Sequence, residues 1–220
     1  MDSARLILRG VRKAHGRRLV LRGASLTVPS GMLVGVVGEN GGGKSTLLRI
    51  ACGQLAPDGG EVRRTGAVGY CPQRLVLDDA LTVEQHLRYF QVAYQLPDLR
   101  WSEELLEILA LAGFRGERAG VLSGGTRQKL NLVLALMHDP DLLLLDEPYQ
   151  GFDWETYQRF WELTVRLRER GRAIVMVSHL ALDIGRFDEV HYLREGLLYD
   201  SSGVAEAAAT VANGRGVVGG

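Results

Sequence analysis

The sequence has few cysteines and no excess of charge of either sign. Among its 220 residues only Cys52 and Cys71 carry thiols, and they form neither a CxxC pair nor a cluster of metal ligands. Two thiols in a chain of ordinary composition are typical of a reducing compartment, and we interpret both as small core residues. The 26 lysines and arginines balance 26 aspartates and glutamates, so the formal net charge is zero. This balance argues against nonspecific binding to nucleic acid, and no nucleic-acid partner is expected.

Long hydrophobic runs and targeting signals are also missing. Residues 1–11 alternate charged and apolar side chains, without the apolar run and small-residue cleavage site of a signal peptide. The longest apolar runs, such as residues 142–145, have the length of a strand and are too short to cross a bilayer. We therefore expect a cytoplasmic chain that reaches a membrane only through a partner.

Apolar runs of strand length predict an α/β fold with a mostly parallel sheet. The length of the chain suits one α/β domain, with room for an inserted subdomain. Continuous apolar runs bounded by glycine or polar residues are typical of strands buried on both faces. A turn is expected at His15-Gly16, between two strands. The predicted strands are residues 5–11, 21–28, 33–37, 67–70, 142–145 and 173–177.

The middle of the chain shows helical signals and no strand signal. Thr82 is predicted to cap a helix over residues 83–94, and Ser102 a helix over residues 103–112 that ends at Gly113. A helical insert between two α/β portions fits this pattern better than two independent domains. Residues 201–220 are rich in alanine, glycine and valine, so we expect a frayed tail with one short helix near residues 205–212.

A glycine-rich segment between a predicted strand and a predicted helix fits the phosphate-binding pattern G-x-x-x-x-G-K-S/T. Its glycines let successive backbone N–H groups converge on phosphate oxygens, and the following helix adds a favourable dipole. Lys44 should reach the β and γ phosphates, and the Ser45 hydroxyl should bind Mg²⁺. A glycine-rich turn without a ligand is the alternative. The nucleotide-binding residues predicted here are Gly38, Asn40, Gly41, Gly42, Gly43, Lys44, Ser45 and Thr46.

Two carboxylates follow the apolar run at residues 142–145. The carboxyl end of a buried parallel strand is the edge at which such sheets bind ligands. Asp146 is predicted to hold Mg²⁺ through water, and Glu147 to polarise the water that attacks the phosphate. A strand that ends in Asp-Glu is often only a solvated strand end. Together with the phosphate loop, the pair becomes a Walker B candidate.

Two further polar residues follow predicted strands. His179 comes soon after residues 173–177 and could contact the γ-phosphate or the attacking water. Gln73 follows residues 67–70 and could contact Mg²⁺ or the water. Each residue taken alone has an ordinary structural interpretation, so both assignments depend on the phosphate loop.

The segment Leu-Ser-Gly-Gly-Thr at residues 122–126 precedes a helical pattern at residues 127–137. Ser123 is suited to cap that helix, and Gly124 and Gly125 expose backbone amides at its positive end. The segment is therefore a candidate for a second anion site. A simple capped helix is the alternative.

Together, these motifs resemble the nucleotide-binding subunits of the ABC transporter family over residues 5–200. The order and spacing carry the specificity of this resemblance. The series comprises a Walker A loop at 38–46, a Q-loop at Gln73, an LSGG signature at 122–125, a Walker B strand at 142–147, a D-loop at Asp153 and a switch at His179.

The resemblance implies a P-loop NTPase core with a mostly parallel sheet, a small antiparallel β subdomain and an inserted helical subdomain. It implies that residues 1–73 form the first part of the core, and residues 74–135 the helical subdomain that ends with the signature and its helix. Residues 136–200 then complete the core, and residues 201–220 form the tail.

The resemblance also implies how the protein works and with what. ATP and Mg²⁺ would lie between Walker A of one subunit and LSGG of a second, identical or paralogous subunit, in a head-to-tail dimer. Ser123 and Gly125 would bind the γ-phosphate in trans, and Asp153 would couple the two sites. The helical insert would dock near Gln73 on a transmembrane permease, which would hold the dimer at the inner face of the membrane.

The sequence departs from the family pattern in several places. His15 stands where family members usually have an aromatic residue that stacks on adenine, so it is the predicted contact for the base. Thr126 replaces the usual glutamine after the signature, and Tyr149 and Phe152 depart from the commonest D-loop. None of these changes removes a phosphate-binding or hydrolytic group, so they bear on affinity and coupling.

Three functions are compatible with the motifs. The favoured one is an ATP-hydrolysing motor subunit that drives a separate permease, with export favoured by analogy because the helical insert is short. A soluble ABC ATPase with an assembly or repair role is the alternative, although the chain lacks the tandem cassettes or long coiled coil of translation or repair members. A P-loop kinase or GTPase would need an acceptor site or a guanine-reading motif in place of LSGG.

Overall fold

The computed structural model describes residues 4–74, 76–178 and 185–200. Strands begin and end this part of the chain, and most of its helices lie in the middle. The strands are β1 (Leu6–His15), β2 (Arg18–Val28), β3 (Leu33–Val37), β4 (Gly59–Arg64), β5 (Val68–Cys71), β6 (Leu142–Asp146), β7 (Ala173–Val177), β8 (Glu189–Arg194) and β9 (Leu197–Tyr199). The α-helices are α1 (Lys44–Cys52), α2 (Val83–Ala93), α3 (Arg100–Ile108), α4 (Gly124–Leu136) and α5 (Trp154–Glu169).

The central sheet has six strands in the order β5-β6-β7-β3-β8-β9. The pairs from β5 through β8 are parallel, and only β8 and β9 pair antiparallel. Every residue of β3, β6 and β7 is buried, as their continuous apolar runs predict. The parallel order places the carboxyl ends of β5, β6, β7 and β3 at one edge of the sheet.

A second, antiparallel sheet has the strand order β2-β1-β4. The predicted turn is present, because Gly16 lies between β1 and β2 with a φ of 60° that suits glycine. The two strands are longer than the apolar runs indicated, and β4 was not predicted. This sheet and α1 cover one face of the central sheet, where Leu142 and Leu144 lie in the same hydrophobic cluster as residues of β1 and β2.

The helices α2 to α5 cover the opposite face of the central sheet. Leu143 and Leu145 belong to that second hydrophobic cluster, because successive residues of a strand point to opposite faces. Thr82 caps α2 in a reciprocal arrangement with Gln85, as predicted. Cys71 is buried in this cluster, so its assignment to the core is confirmed. Cys52 is only partly buried.

The predicted start of the third helix is wrong. α3 begins at Arg100 rather than Glu103, and Ser102 lies inside its first turn with a buried hydroxyl that has no hydrogen-bond partner. The indole of Trp101 donates to the carbonyl oxygen of Leu136 at 3.0 Å, which holds this first turn against α4. Tertiary packing therefore overrides the capping preference of serine. The helix also ends earlier than predicted, at Ile108, and residues 112–114 form a separate 3₁₀ turn.

The structure has the predicted α/β fold with a P-loop NTPase core, a mostly parallel sheet, a small antiparallel sheet and helices between the fifth and sixth strands. The expected helix near residues 205–212 lies outside the described residues. Within the described part of the chain, we find no helix that combines the length and apolarity needed to cross a bilayer.

Candidate active site

The phosphate loop connects the carboxyl end of β3 to the first turn of α1. Gly43 caps α1 with a φ of 106°, and a Cβ atom there would lie 2.7 Å from Cγ1 of Val20. A Cβ at Gly38 would collide with the carbonyl oxygen of Leu193. Glycine is therefore needed at both positions, and the loop lies close to the neighbouring strands and leads into the N-terminus of α1, where backbone N–H groups favour an anion.

Lys44 is buried and folds back over its own loop. Its Nζ donates hydrogen bonds to the carbonyl oxygens of Gly38 at 2.7 Å and Glu39 at 3.0 Å. The ammonium group is thus held beside the amides that the glycines expose. The arrangement is suited to binding a polyphosphate, because the cation and the amides act on the same anion.

Asp146 and Glu147 are buried at the carboxyl end of β6. Burial raises the pKa of Asp146 above its usual range, a hydrogen bond from the Ser45 hydroxyl lowers it, and the charge of Glu147 raises it again. The amide Nε2 of Gln73 donates to Oε2 of Glu147 at 3.0 Å. Glu147 itself has a left-handed backbone with a φ of 51°, and its N–H donates to the carbonyl of Val177 at 3.2 Å.

The residues around Asp146 suit Mg²⁺. The Ser45 hydroxyl contacts the Asp146 carboxylate, and both are the hard oxygen donors that this cation prefers. Among the described residues, no group of three or more His, Cys, Asp or Glu side chains could hold a metal without further ligands. Mg²⁺ sites of nucleotide enzymes need few protein ligands, because waters and substrate phosphates complete the coordination. This donor set therefore fits a cation that arrives with a nucleotide.

An open cleft of about 560 Å³ joins these groups to the hairpin between β1 and β2. The His15 ring lies 3.4 Å from the Thr46 hydroxyl, and Arg18 donates to the carbonyl of Gly41 at 3.1 Å. Most of the predicted loop residues line this cleft, but Gly38, Gly42 and Asp146 do not. The lining residues are His15, Arg18, Val20, Asn40, Gly41, Gly43, Lys44, Ser45, Thr46, Gln73, Glu147 and Gln150.

Three of the lining residues, Arg18, Val20 and Gln150, were not predicted. Arg18 and Val20 lie on β2, the strand that follows the turn after His15, and their nearness to a predicted base contact is the signal that could have identified them. Gln150 follows Glu147 by three residues, and its backbone N–H donates to the Glu147 carbonyl at 3.3 Å. A turn after the carboxylates would have brought it to the same edge.

The remaining predicted residues form a separate surface. Ser123 accepts a hydrogen bond from the Thr126 N–H at 3.2 Å and caps α4, which confirms its capping role. Ser123 and Gly124 are exposed, and Gly125 packs so closely on Gly151 that a Cβ at position 125 would overlap the Gly151 carbonyl. None of these residues lines the cleft. The phosphate loop and the signature segment thus line no common cleft in the described part of the chain.

Asp153 connects the start of α5 to α4, the helix that begins in the signature. It accepts a hydrogen bond from the Thr156 N–H at 2.9 Å, which caps α5, and it forms an ion pair with Lys129 of α4 at 2.9 Å. The Thr156 N–H and the Lys129 ammonium hold the pKa of Asp153 well below its usual range. The D-loop and the signature helix are therefore fixed to each other.

His179 lies outside the described residues, so its predicted role stays a prediction. The residue before it, Ser178, is buried directly after β7. Its N–H donates to the carbonyl of Val36 at 3.3 Å, and its hydroxyl lies 2.7 Å from the Tyr149 hydroxyl. The sheet thus leads the chain towards the same edge at which Lys44 and Glu147 lie.

The chain is similar to known proteins in both its sequence and its fold. The family model described as ABC transporter matches residues 21–150. The chain is 41% identical over 79% of its length to the zinc import ATP-binding protein ZnuC of Paramagnetospirillum magneticum, of which the match covers 67%. It is 34% identical over 89% of its length to the Nod factor export ATP-binding protein I of Rhizobium sp. (strain N33), of which the match covers 70%.

A longer relative is the ABC transporter G family member 20 of Dictyostelium discoideum, which is 31% identical over 88% of this chain. The chain spans only 29% of that protein's length.

Solved structures show the same fold. An ATP-binding subunit of an ABC transporter superposes with a TM-score of 0.84 at 25% identity, over 93% of each chain. A dimeric bacterial ABC transporter cassette superposes with a TM-score of 0.79 at 25% identity, over 88% of this chain and 96% of that one. The chain therefore belongs to the ABC transporter family, as one of its ATP-binding and ATP-hydrolysing cassettes.

Proposed function

We propose that the chain is the motor subunit of a transporter, binding ATP and Mg²⁺ in a head-to-tail dimer and driving a separate membrane permease. One observation carries this proposal: the phosphate loop and the signature lie on two different surfaces of the same chain. A second copy turned head to tail would supply Ser123, Gly124 and Gly125 to the cleft of the first copy. The dimeric bacterial cassette with the same fold supports this arrangement.

We assign each residue in and beside the cleft a role in phosphoryl transfer. The loop amides and Lys44 bind the phosphates, and Ser45 and Asp146 hold Mg²⁺, which neutralises phosphate charge when bound. Glu147 accepts a proton from the attacking water, and the hydrogen bond from Gln73 orients its carboxylate. His179 would stabilise the γ-phosphate from the end of β7. The catalytic residues proposed are thus Lys44, Glu147 and His179.

The proposed regions follow the position of these motifs. Residues 1–73 hold the phosphate loop and Gln73, residues 74–135 form a helical subdomain that ends with the signature helix, and residues 136–200 hold Asp146, Glu147 and the D-loop. Residues 201–220 are assigned to a tail. The ion pair between Lys129 and Asp153 joins the helical subdomain to the core. A displacement of the helical subdomain would therefore be transmitted to the D-loop.

Glu147→Gln tests the proposed dimer. The amide cannot accept the proton of the attacking water, so this variant should bind ATP without hydrolysing it. With ATP and Mg²⁺ it should elute as a dimer in size-exclusion chromatography with light scattering. Monomer at every ATP concentration, with ATP bound, would show that the head-to-tail dimer is wrong.

A matched pair of glycine substitutions locates the interface. A Cβ at Gly124 meets no atom within 4 Å, and the same holds for Gly116, which lies outside the signature. Glu147→Gln/Gly124→Arg should therefore fold and bind ATP but remain monomeric. Glu147→Gln/Gly116→Arg should still dimerise. Equal dimerisation of both double variants would contradict the role of the signature.

We place the permease contact on a groove between β5, α2 and α4. On α2 and directly after it, Leu87 packs into the core, Phe90 is half-buried and Tyr94 is exposed. Phe90 and Tyr94 line the groove of about 340 Å³, as does Val76, which is 76% exposed. An exposed apolar rim beside Gln73 suits an apolar segment of a partner.

Val76→Glu tests this surface, because an exposed valine can take a charge without loss of core packing. The variant should lose co-purification with a polytopic membrane protein identified by mass spectrometry from the native source. Val165→Glu on α5, outside the groove, is the control. Recovery of a soluble assembly partner instead of a permease would favour the alternative, a soluble ABC ATPase.

We propose export as the direction of transport and the cytoplasmic face of the membrane as the site of action. The Nod factor export relatives, matched over 89% of this chain, support export, whereas the zinc import relative supports the reverse. In inside-out vesicles that carry both subunits, export would appear as ATP-driven accumulation of a labelled substrate in the lumen. ATP-driven release would indicate import.

A further inference from the structure

A buried pair of hydroxyl groups joins the segment after β6 to the end of β7. The Tyr149 hydroxyl is 2.7 Å from the Ser178 hydroxyl, and both residues are buried. Tyr149 is the second residue after Glu147, and Ser178 directly precedes His179. This one hydrogen bond therefore joins the two loops that carry the proposed catalytic Glu147 and His179.

The backbone of Glu147 needs such support. Its φ of 51° is left-handed, a conformation that is unfavourable for a residue other than glycine. The Glu147 N–H donates to the carbonyl of Val177 at 3.2 Å, and the hydroxyl pair makes the next link between the same two segments. A backbone bond and a side-chain bond thus both join the loop after β6 to the end of β7.

Neighbouring aromatic residues restrict the Tyr149 ring. It packs edge to face on Tyr157 with ring centroids 5.4 Å apart, and lies 5.5 Å from Phe160 and 5.9 Å from Trp161, all on α5. The rings leave the hydroxyl little freedom to move away from Ser178.

The same aromatic group reaches the chain beyond His179. The rings of Trp161 and Phe187 pack edge to face with their centroids 5.9 Å apart. The guanidinium carbon of Arg186 lies 5.0 Å from the centroid of the Trp161 ring. Residues on both sides of 179–184 therefore reach the aromatic residues of α5, Ser178 through Tyr149, and Arg186 and Phe187 directly. Tyr149 connects that aromatic group to Glu147.

We infer that Tyr149 is a positioning residue for ATP hydrolysis, which acts through its hydrogen bond to Ser178 to hold the loop of Glu147 against the end of β7. This inference rests on the proposed role of Glu147. Tyr149 lies outside the residues that line the nucleotide cleft, so its effect falls on the orientation of the carboxylate and not on contact with ATP. Loss of the bond should lower kcat and leave the KM for ATP nearly unchanged.

Tyr149→Phe removes the hydroxyl and keeps the ring, and Ser178→Ala removes the partner. We expect each to lower kcat by about tenfold to a hundredfold, since small misplacements of a catalytic group cost this much. The double variant should be no slower than the slower single variant, because both changes break the same bond. If Tyr149→Phe fails to fold, Ser178→Ala tests the same bond.

Thr164→Val is the matched control. It also removes a buried hydroxyl, which donates to the carbonyl of Trp161 at 2.7 Å on α5. It should lower the melting temperature by an amount comparable to Tyr149→Phe but leave kcat unchanged. The inference would be overturned if the kcat of Tyr149→Phe equalled that of the control. It would also be overturned if the fold-losses in kcat of Tyr149→Phe and Ser178→Ala multiplied in the double variant.

Glu147→Gln separates this inference from the proposed function. If Glu147→Gln is inactive and Tyr149→Phe is fully active, only the positioning role fails. If Glu147→Gln itself keeps wild-type turnover, the assignment of the hydrolytic carboxylate fails, and with it the reason for a positioning residue.

Discussion

The amide of Gln73 donates a hydrogen bond to the carboxylate of Glu147, with 3.0 Å between Nε2 and Oε2. Gln73 follows β5 and Glu147 follows β6, and these strands are parallel neighbours in which Cys71 pairs with Leu145. Two side chains that are 74 residues apart therefore meet at one edge of the sheet. The contact links the segment nearest the proposed permease groove to Glu147, the residue that we propose polarises the attacking water.

Gln73→Ala should slow hydrolysis more than it weakens nucleotide binding. Without the amide, the carboxylate of Glu147 loses one of the bonds that orient it, and we expect kcat to fall by about tenfold or more. Steady-state ATPase assays and ATP titrations measure the two effects separately. Arg74→Ala, an exposed neighbour outside the cleft lining, is the control. Wild-type kcat in Gln73→Ala would show that the contact does not orient the carboxylate.

Lys44→Ala should abolish ATP hydrolysis. The Lys44 ammonium donates hydrogen bonds to the carbonyl oxygens of Gly38 and Glu39. Lys44 is the one lysine of the sequence that lies in the phosphate loop. Lys13→Ala is a fair control, because Lys13 pairs with Asp58 at 2.6 Å and does not line the cleft. Unchanged turnover in Lys44→Ala would remove the central assignment of the site.

The parts of the site that the sequence predicts depend on local patterns. The phosphate loop, the Thr82 and Ser123 caps and the buried strands each follow from neighbouring residue types, and the structure has all of them. Periodicity and capping act within a few residues, so they can be read directly from the sequence.

The parts that were missed depend on distant contacts. Ser102 has the residue type of a cap, but the bond from Trp101 to Leu136 draws it inside α3. The antiparallel edge strand β9 is only three residues long, and β8 is only partly buried, so neither has the continuous apolar run that marked β3. The bond between Tyr149 and Ser178 spans 29 residues and leaves no local signal.

The stability contributed by Asp153 should depend on pH. Its folded-state pKa is lowered, first by the Thr156 N–H and then by Lys129, so its stabilising effect is present above the unfolded pKa, near 4. The effect is lost as the pH falls below that value, towards the lower folded pKa. Because the side chain is largely exposed, solvent screens the interaction and we predict only the direction.

Asp153→Asn tests this dependence, since an asparagine can still cap α5 but cannot pair with Lys129. Urea unfolding should show a lower free energy of unfolding than wild type at pH 7, and a smaller difference at pH 3. Glu155→Gln, which removes an exposed charge from the first turn of the same helix, is the control for general charge effects. A difference that is constant between the two pH values would contradict the low pKa of Asp153.

His15 should set a loose preference for the nucleotide base. It lies on the wall of the cleft, at the end of β1, with its ring 3.4 Å from the Thr46 hydroxyl. An imidazole is flat and can stack on a base, but its face is smaller than that of tyrosine. Stacking contributes only about 1–3 kcal/mol per base on single-strand nucleic-acid platforms, whereas the loop amides, Lys44 and Mg²⁺ act on several phosphate charges. Phosphate contacts should therefore dominate affinity.

GTP should accordingly support hydrolysis within about tenfold of ATP, the ratio that corresponds to ~1.4 kcal/mol of discrimination. His15→Tyr should tighten ATP binding, because the larger ring offers more surface to the adenine. Arg17→Ala, on the same hairpin but outside the cleft lining, should leave the affinity unchanged. Nucleotide titrations of the three proteins decide the question. Equal ATP affinity of wild type and His15→Tyr would mean that position 15 does not face the base, and that Val20 or another wall residue covers it instead.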